Sequence, residues 1–171
     1  VFVQRNEQAL ERRGLAYART GRSLSKHSVY ALSLLASVGV ETLLHGYRSR
    51  KSPESLWAGL LDELRAAPAP ALLVSSEEFM RFGSHPAAAE RLQANLATAP
   101  DVTVRVIAYL RPIRGHLDSW HNQLIKLGLC RVDLAEALAQ VIEPVHYDYG
   151  LALAPWARLA GPGGLTVRPY R

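Results

Sequence analysis

Val102-Thr-Val-Arg-Val-Ile-Ala-Tyr-Leu110, followed by Arg111-Pro112 and then by His116-Leu-Asp-Ser119-Trp-His-Asn-Gln-Leu-Ile-Lys-Leu127, is the stretch on which the fold turns. Its first part is rich in β-branched residues and long enough for one strand. Its last part places Leu117, Trp120, Leu124 and Leu127 along one side of a helix that Gly128 closes. A strand running straight into a helix is half of a βαβ unit.

The same alternation extends in both directions. Upstream, Ala71-Leu-Leu-Val-Ser75 reads as a short buried strand, and residues 86–96 read as a helix between it and residues 102–110. Ser52-Pro53-Glu54 is a cap followed by Pro at the first helical position, and the helix it opens carries Leu56, Leu60, Leu61 and Leu64 at helical spacing. Residues 25–38 read as a further helix, with Val29, Leu32 and Leu35 on one face. Residues 1–13 read as the first helix, stopped by Gly14 and followed by an extended piece at 15–17. Downstream, Asp133-Leu-Ala-Glu136 is a capping box, Asp148 opens a helix that Pro155 should kink, and residues 165–168 form a last strand after Gly161-Pro-Gly-Gly164. Apolar strands separated by helices predict an α/β protein, a three-layer parallel sheet covered on both faces, with residues 71–75, 102–110 and 165–168 among its strands.

Composition narrows the function classes. The chain has 171 residues, 49% of them hydrophobic and 20% charged, which suits a single domain, 1–171. No run approaches the roughly eighteen apolar residues of a membrane-spanning helix, and residues 1–13 are charged throughout, unlike a secretory signal. Cys130 is the only cysteine, so an internal disulfide and a thiolate-rich metal site are excluded. A lone thiol fits a reducing compartment, and a cytoplasmic location is expected. The histidines at 27, 45, 85, 116, 121 and 146 show no pairing with carboxylates at metal-ligand spacing. The net charge of +5 comes with an arginine-rich basic set scattered from Arg5 to Arg171, without the basic stripe and interleaved aromatics of a nucleic-acid binder.

In parallel α/β sheets, ligands collect at the carboxyl ends of the strands. Two strand exits carry polar chemistry. At one, Arg111 supplies a two-pronged donor and Ser119 a hydroxyl on the following helix, whose start favours anions. Together these residues can hold a phosphate; the plain alternative is an Arg111 paired with a carboxylate and a solvent-facing Ser119. At the other, Glu77 follows Ser75-Ser76 and is placed either to accept a proton from a bound substrate or to stabilise a helix start. His27, near the start of the second helix, is either a second proton acceptor or a packing histidine. His116 and His121 flank Ser119 closely enough to touch a substrate.

The run Val106-Ile-Ala-Tyr-Leu-Arg111-Pro-Ile-Arg-Gly-His-Leu-Asp-Ser119-Trp resembles the 3′-phosphate segment of the sulfotransferases that use 3′-phosphoadenosine 5′-phosphosulfate. Leu72-Leu-Val-Ser-Ser-Glu77-Glu-Phe79 is similar to a strand of bacterial members that modify glycans and other small acceptors. Arg13-Gly-Leu-Ala-Tyr17, Asp148-Tyr149 and Trp156 are further matches in the right order. The resemblance implies a P-loop-type nucleotide fold with Arg111 and Ser119 as binding residues for the donor, Glu77 and His27 as catalytic candidates, and no metal. It implies transfer of a sulfuryl group to a hydroxyl or amine of a carbohydrate or other small acceptor. Family members open with a strand and a Gly-rich phosphosulfate loop, whereas Val1-Phe-Val-Gln-Arg-Asn6 resembles the interior of the helix that follows them. The chain is therefore expected to be a fragment continuing past both ends, or a relative without catalysis that binds an anionic glycan or nucleotide. A sheet lacking its first strand has an open edge, which predicts self-association.

Overall fold

The computed structural model describes residues 2–40 and 51–170, and the side chains of 3–40 and 51–170; His45, Val1 and Arg171 lie outside these. The chain combines helices with short strands paired in parallel, and it divides into two compact units, Val1–Phe79 and Met80–Arg171. Among the described residues, no helix is long and apolar enough to cross a membrane.

The first unit begins with two short helices, α1 (Phe2–Arg5) and α2 (Glu7–Glu11), where the sequence predicts one. Asn6 interrupts them, its φ of −113° and ψ of 15° lying outside the helical well. Gly14 then turns the chain at φ +82°, a conformation that favours glycine, into β1 (Leu15–Tyr17). α3 (Ser28–Ser37) and α4 (Pro53–Ala66) lie between β1 and its parallel partner β2 (Ala71–Leu73), paired Leu15 to Ala71 through Tyr17 to Leu73. Tyr30, Leu32, Leu34 and Leu35 of α3 are buried together with Leu56, Leu60 and Leu61 of α4. The α4 start is as read from sequence: Ser52 Oγ accepts from the Ser55 N–H at 3.1 Å ahead of Pro53.

α3 starts three residues later than the sequence predicts. Ser23 and Lys26 exchange two backbone hydrogen bonds across a tight turn, and the His27 N–H donates to the Ser75 carbonyl at 2.6 Å. These tertiary bonds hold residues 25–27 outside the helix, although serine and lysine are compatible with one.

A 3₁₀ helix (Glu77–Gly83) leads into the second unit. There α5 (Pro86–Ala97) precedes β3 (Val106–Leu110), and α6 (Ile113–Lys126), α7 (Leu134–Gln140) and α8 (Tyr149–Ala160) precede β4 (Leu165–Pro169). β3 and β4 pair in parallel from Val106–Leu165 to Leu110–Pro169. Asp133 and Asp148 cap α7 and α8 by accepting from the Glu136 and Leu151 N–H groups, each at 2.9 Å. Pro155 lies inside α8 without ending it.

The described strands form two parallel pairs, β1–β2 and β3–β4. The expected burial on both faces also differs, since Ile107 and Tyr109 of β3 are 62% and 64% exposed. The apolar run is shared between a packed face and an open one.

At Gly83 the backbone passes close against α8. A Cβ there would collide with the Leu151 carbonyl oxygen and sit 2.9 Å from the Ala152 Cα. Those atoms belong to a capped helix and cannot rotate away. Gly83→Ala is therefore expected to destabilise the second unit by about 1–3 kcal/mol, read as a lower urea midpoint.

Candidate functional site

In the first unit, polar residues gather at the carboxyl end of the β1–β2 pair. An open cavity of about 250 Å3 is bordered by Tyr17 of β1, by Ser25 and Lys26 of the turn before α3, and by Ser75, Ser76 and Glu77 after β2, with Val3 at one side. Glu77 is the first residue of the 3₁₀ helix, its side chain 85% exposed, and its carboxylate accepts from Lys26 Nζ at 2.9 Å. Tyr17 Oη donates to the Ser25 carbonyl at 2.7 Å, and Ser76 Oγ accepts from the Glu78 N–H at 3.2 Å. Among the described residues, no hydrogen bond engages the hydroxyls of Ser25 and Ser75.

His27 stands behind this cavity and is fully buried. Its Nε2–H donates to the Ala18 carbonyl at 2.8 Å, and its Nδ1 accepts from the Ser75 N–H at 2.9 Å. The ring packs edge-on against Tyr17, with centroids 4.9 Å apart. Burial pushes the His27 pKa below its usual value. A neutral imidazole with both nitrogens committed to backbone ties the residue after β1 to the residues after β2. In this geometry His27 positions Ser75 and holds the cavity's rear wall.

In the second unit, Arg111 follows β3 directly and is exposed. Its guanidinium lies over the Tyr170 ring, 4.5 Å from the centroid, and its carbonyl accepts from Tyr149 Oη at 2.8 Å. Burial raises the Tyr149 pKa, which keeps this phenol a donor. No carboxylate pairs with Arg111 among the described residues. Stacking uses the face of the guanidinium and leaves its in-plane N–H groups to other partners.

Ser119 is exposed on α6, and among the described residues its hydroxyl has no protein partner. It lies nearly two turns into the helix, about 9 Å along the axis from Ile113, because α6 begins three residues before the His116 start read from sequence. α6 starts earlier because Pro112 takes its N-cap position. The unbonded N–H groups at the helix start therefore lie beside residues 113–115, not beside Ser119.

The second unit also holds a cluster that the sequence does not reveal. His116 Nε2 and His146 Nδ1 are 3.1 Å apart, and the His146 ring is stacked between His116 and Trp120, with centroids at 5.3 and 4.5 Å. His146 is buried, and burial, reinforced by the neighbouring His116, lowers its pKa to about 4. Arg81, also buried, donates to Glu143 from Nε at 3.1 Å and from Nη2 at 2.6 Å, and His85 Nε2 reaches the same carboxylate at 3.1 Å. Burial alone would raise the Glu143 pKa; the hydrogen bonds from Arg81 and His85 outweigh it and hold the carboxyl below its usual value. His121 Nε2 is 2.9 Å from the Val132 carbonyl. Among the described residues, no group of three or more His, Cys, Asp or Glu is gathered as a metal site.

Glu77 and His27 thus belong to the first unit, and Arg111 and Ser119 to the second. The chain matches no protein-family model, no curated protein and no solved structure.

Proposed function

We propose that the chain is part of a sulfotransferase that uses 3′-phosphoadenosine 5′-phosphosulfate, with Arg111 and Ser119 holding the 3′-phosphate. One observation carries the reading. Arg111 at the exit of a parallel strand and Ser119 on the next helix have the family's spacing, and both lack a protein partner for their donor groups among the described residues. A guanidinium without a carboxylate is suited to an external anion, and an exposed hydroxyl adds a second donor. The three-layer P-loop-type sheet is part of this proposal.

The donor supplies an activated sulfuryl group. An acceptor hydroxyl or amine forms the new bond to sulfur as the bond to the phosphate oxygen breaks, and adenosine 3′,5′-bisphosphate leaves. Glu77, exposed at the mouth of a cavity, takes the proton that the acceptor releases. His27, with both ring nitrogens bonded to backbone, contributes by positioning.

Titration of the full-length protein with adenosine 3′,5′-bisphosphate by calorimetry tests the reading. Charged hydrogen bonds contribute about 1.5–3 kcal/mol, so Arg111→Ala is expected to weaken binding roughly ten- to a hundredfold, and Ser119→Ala less. Equal affinity in the parent and in Arg111→Ala would remove the assignment.

A further inference from the structure

We infer that the cavity at the carboxyl end of the β1–β2 pair binds an uncharged, polyhydroxylated molecule, a neutral sugar-type polyol, through the hydroxyls of Ser25 and Ser75. The inference rests on the sulfotransferase reading only for calling this ligand the acceptor; the recognition itself rests on the cavity wall.

Charge excludes most alternatives. The cavity is bordered by one cation and one carboxylate, Lys26 and Glu77, and these are already paired at 2.9 Å. An anionic ligand would meet an exposed carboxylate, and a cationic one would meet the Lys26 ammonium. Neither charge has an unmatched partner in the wall, so a charged ligand would lose hydration without gaining a counter-ion.

Hydrogen-bonding capacity points the same way. Ser25 and Ser75 each offer one donor and two acceptor lone pairs, and no protein bond engages them among the described residues. Tyr17 Oη spends its proton on the Ser25 carbonyl and keeps only acceptor capacity toward a ligand. Ser76 Oγ accepts from a backbone N–H and keeps its own proton to donate. A wall that both donates and accepts matches a ligand made of hydroxyls, which do the same. A phosphate or sulfate needs donors alone. The volume of about 250 Å3 falls below the roughly 300–1,000 Å3 of drug-sized sites, so it takes one ring-sized group of a larger molecule or a small polyol whole.

The wall is preorganised. The Ser75 N–H and carbonyl are both bonded to His27, and the Ser25 carbonyl is bonded to Tyr17. Both serines serve the fold through backbone atoms, so alanine at either position removes a hydroxyl and leaves these bonds in place.

The test uses the full-length protein and three glycosides of one ring: methyl glucoside, methyl glucuronide and methyl glucosaminide, titrated by saturation-transfer NMR. The neutral glycoside is expected to bind at least about fivefold more tightly than the other two. The Ser25→Ala/Ser75→Ala double variant should lose on the order of tenfold in that affinity, while Arg158→Ala, at an exposed position of α8, leaves it unchanged. A glucuronide or glucosaminide that binds as tightly as the glucoside would overturn the inference. So would a double variant that matches the parent, or no binding of any of the three at tens of millimolar. Failure of the bisphosphate titration alone would sink the sulfotransferase reading and leave this binding result standing.

Discussion

Lowering the pH from 7 to about 4 is expected to remove about 3 kcal/mol of the second unit's stability through His146 alone. The ring is buried, stacked between His116 and Trp120, and its pKa is lowered from 6.5 to about 4. Between those two values the unfolded chain binds a proton that the folded chain refuses. The His146 contribution is therefore complete above about pH 6.5 and is lost as pH falls from there through the folded value near 4. Protonation would place a cation beside His116 and near Arg81, neither of which can compensate it; Glu143, also nearby, is already bonded to Arg81 and His85. Glu143 adds acid sensitivity in a lower window, because a carboxyl held below its usual pKa loses its contribution as pH falls through the folded value. Urea titrations followed by tryptophan fluorescence at half-unit pH steps separate the two. His146→Phe keeps an aromatic ring on Trp120 and removes this titration, so its stability should fall less steeply than the parent's between pH 6.5 and 5, the remaining slope coming from buried His27 in the first unit. An identical slope in that variant and the parent would show that another group is responsible.

The parts of this fold legible in the sequence are those fixed by neighbours along the chain. Ser52-Pro53, Asp133 with Glu136, Asp148 and Gly14 each mark a helix boundary with side chains or a φ that local chemistry demands. Strand pairing is a different matter. β1 meets β2 and β3 meets β4 across more than fifty residues each, and no local pattern encodes that choice. The β-branched run at 102–110 correctly announces a strand, yet only 106–110 pair, and its open face could not be told from a packed one because both are apolar.

The candidate site divides along the same line. Arg111 is visible because it follows a strand, and Glu77 for the same reason. Lys26 and Ser25 are hidden because their sequence suits the start of a helix, and a tertiary bond from His27 to Ser75 takes them out of it. His116 and His146 lie thirty positions apart, and Arg81 and Glu143 sixty-two, distances at which spacing carries no signal. The role of His27 could be read two ways from sequence. The two backbone bonds to its ring distinguish a clamp from a titrating base, and those bonds are visible only in three dimensions.

Under the proposed sulfotransferase function, Glu77→Gln is expected to lower the rate of sulfuryl transfer by about 10²–10⁴-fold, the usual contribution of a positioned general base. The glutamine keeps the size of the side chain and can still meet Lys26 through its carbonyl oxygen, but it cannot take up the acceptor's proton. Because Glu77 is largely exposed, the exchange should leave the thermal midpoint within about 1 °C. The full-length protein, a radiolabelled donor and a neutral glycoside acceptor give the rate directly. A base acts in the chemical step, so the loss belongs in kcat; a residue that only binds the acceptor would raise KM instead. Transfer within threefold of the parent would take Glu77 out of the chemistry. A pure KM effect would keep it at the cavity mouth as a binding group, paired with Lys26, and return the search for the proton acceptor to the acceptor's other neighbours.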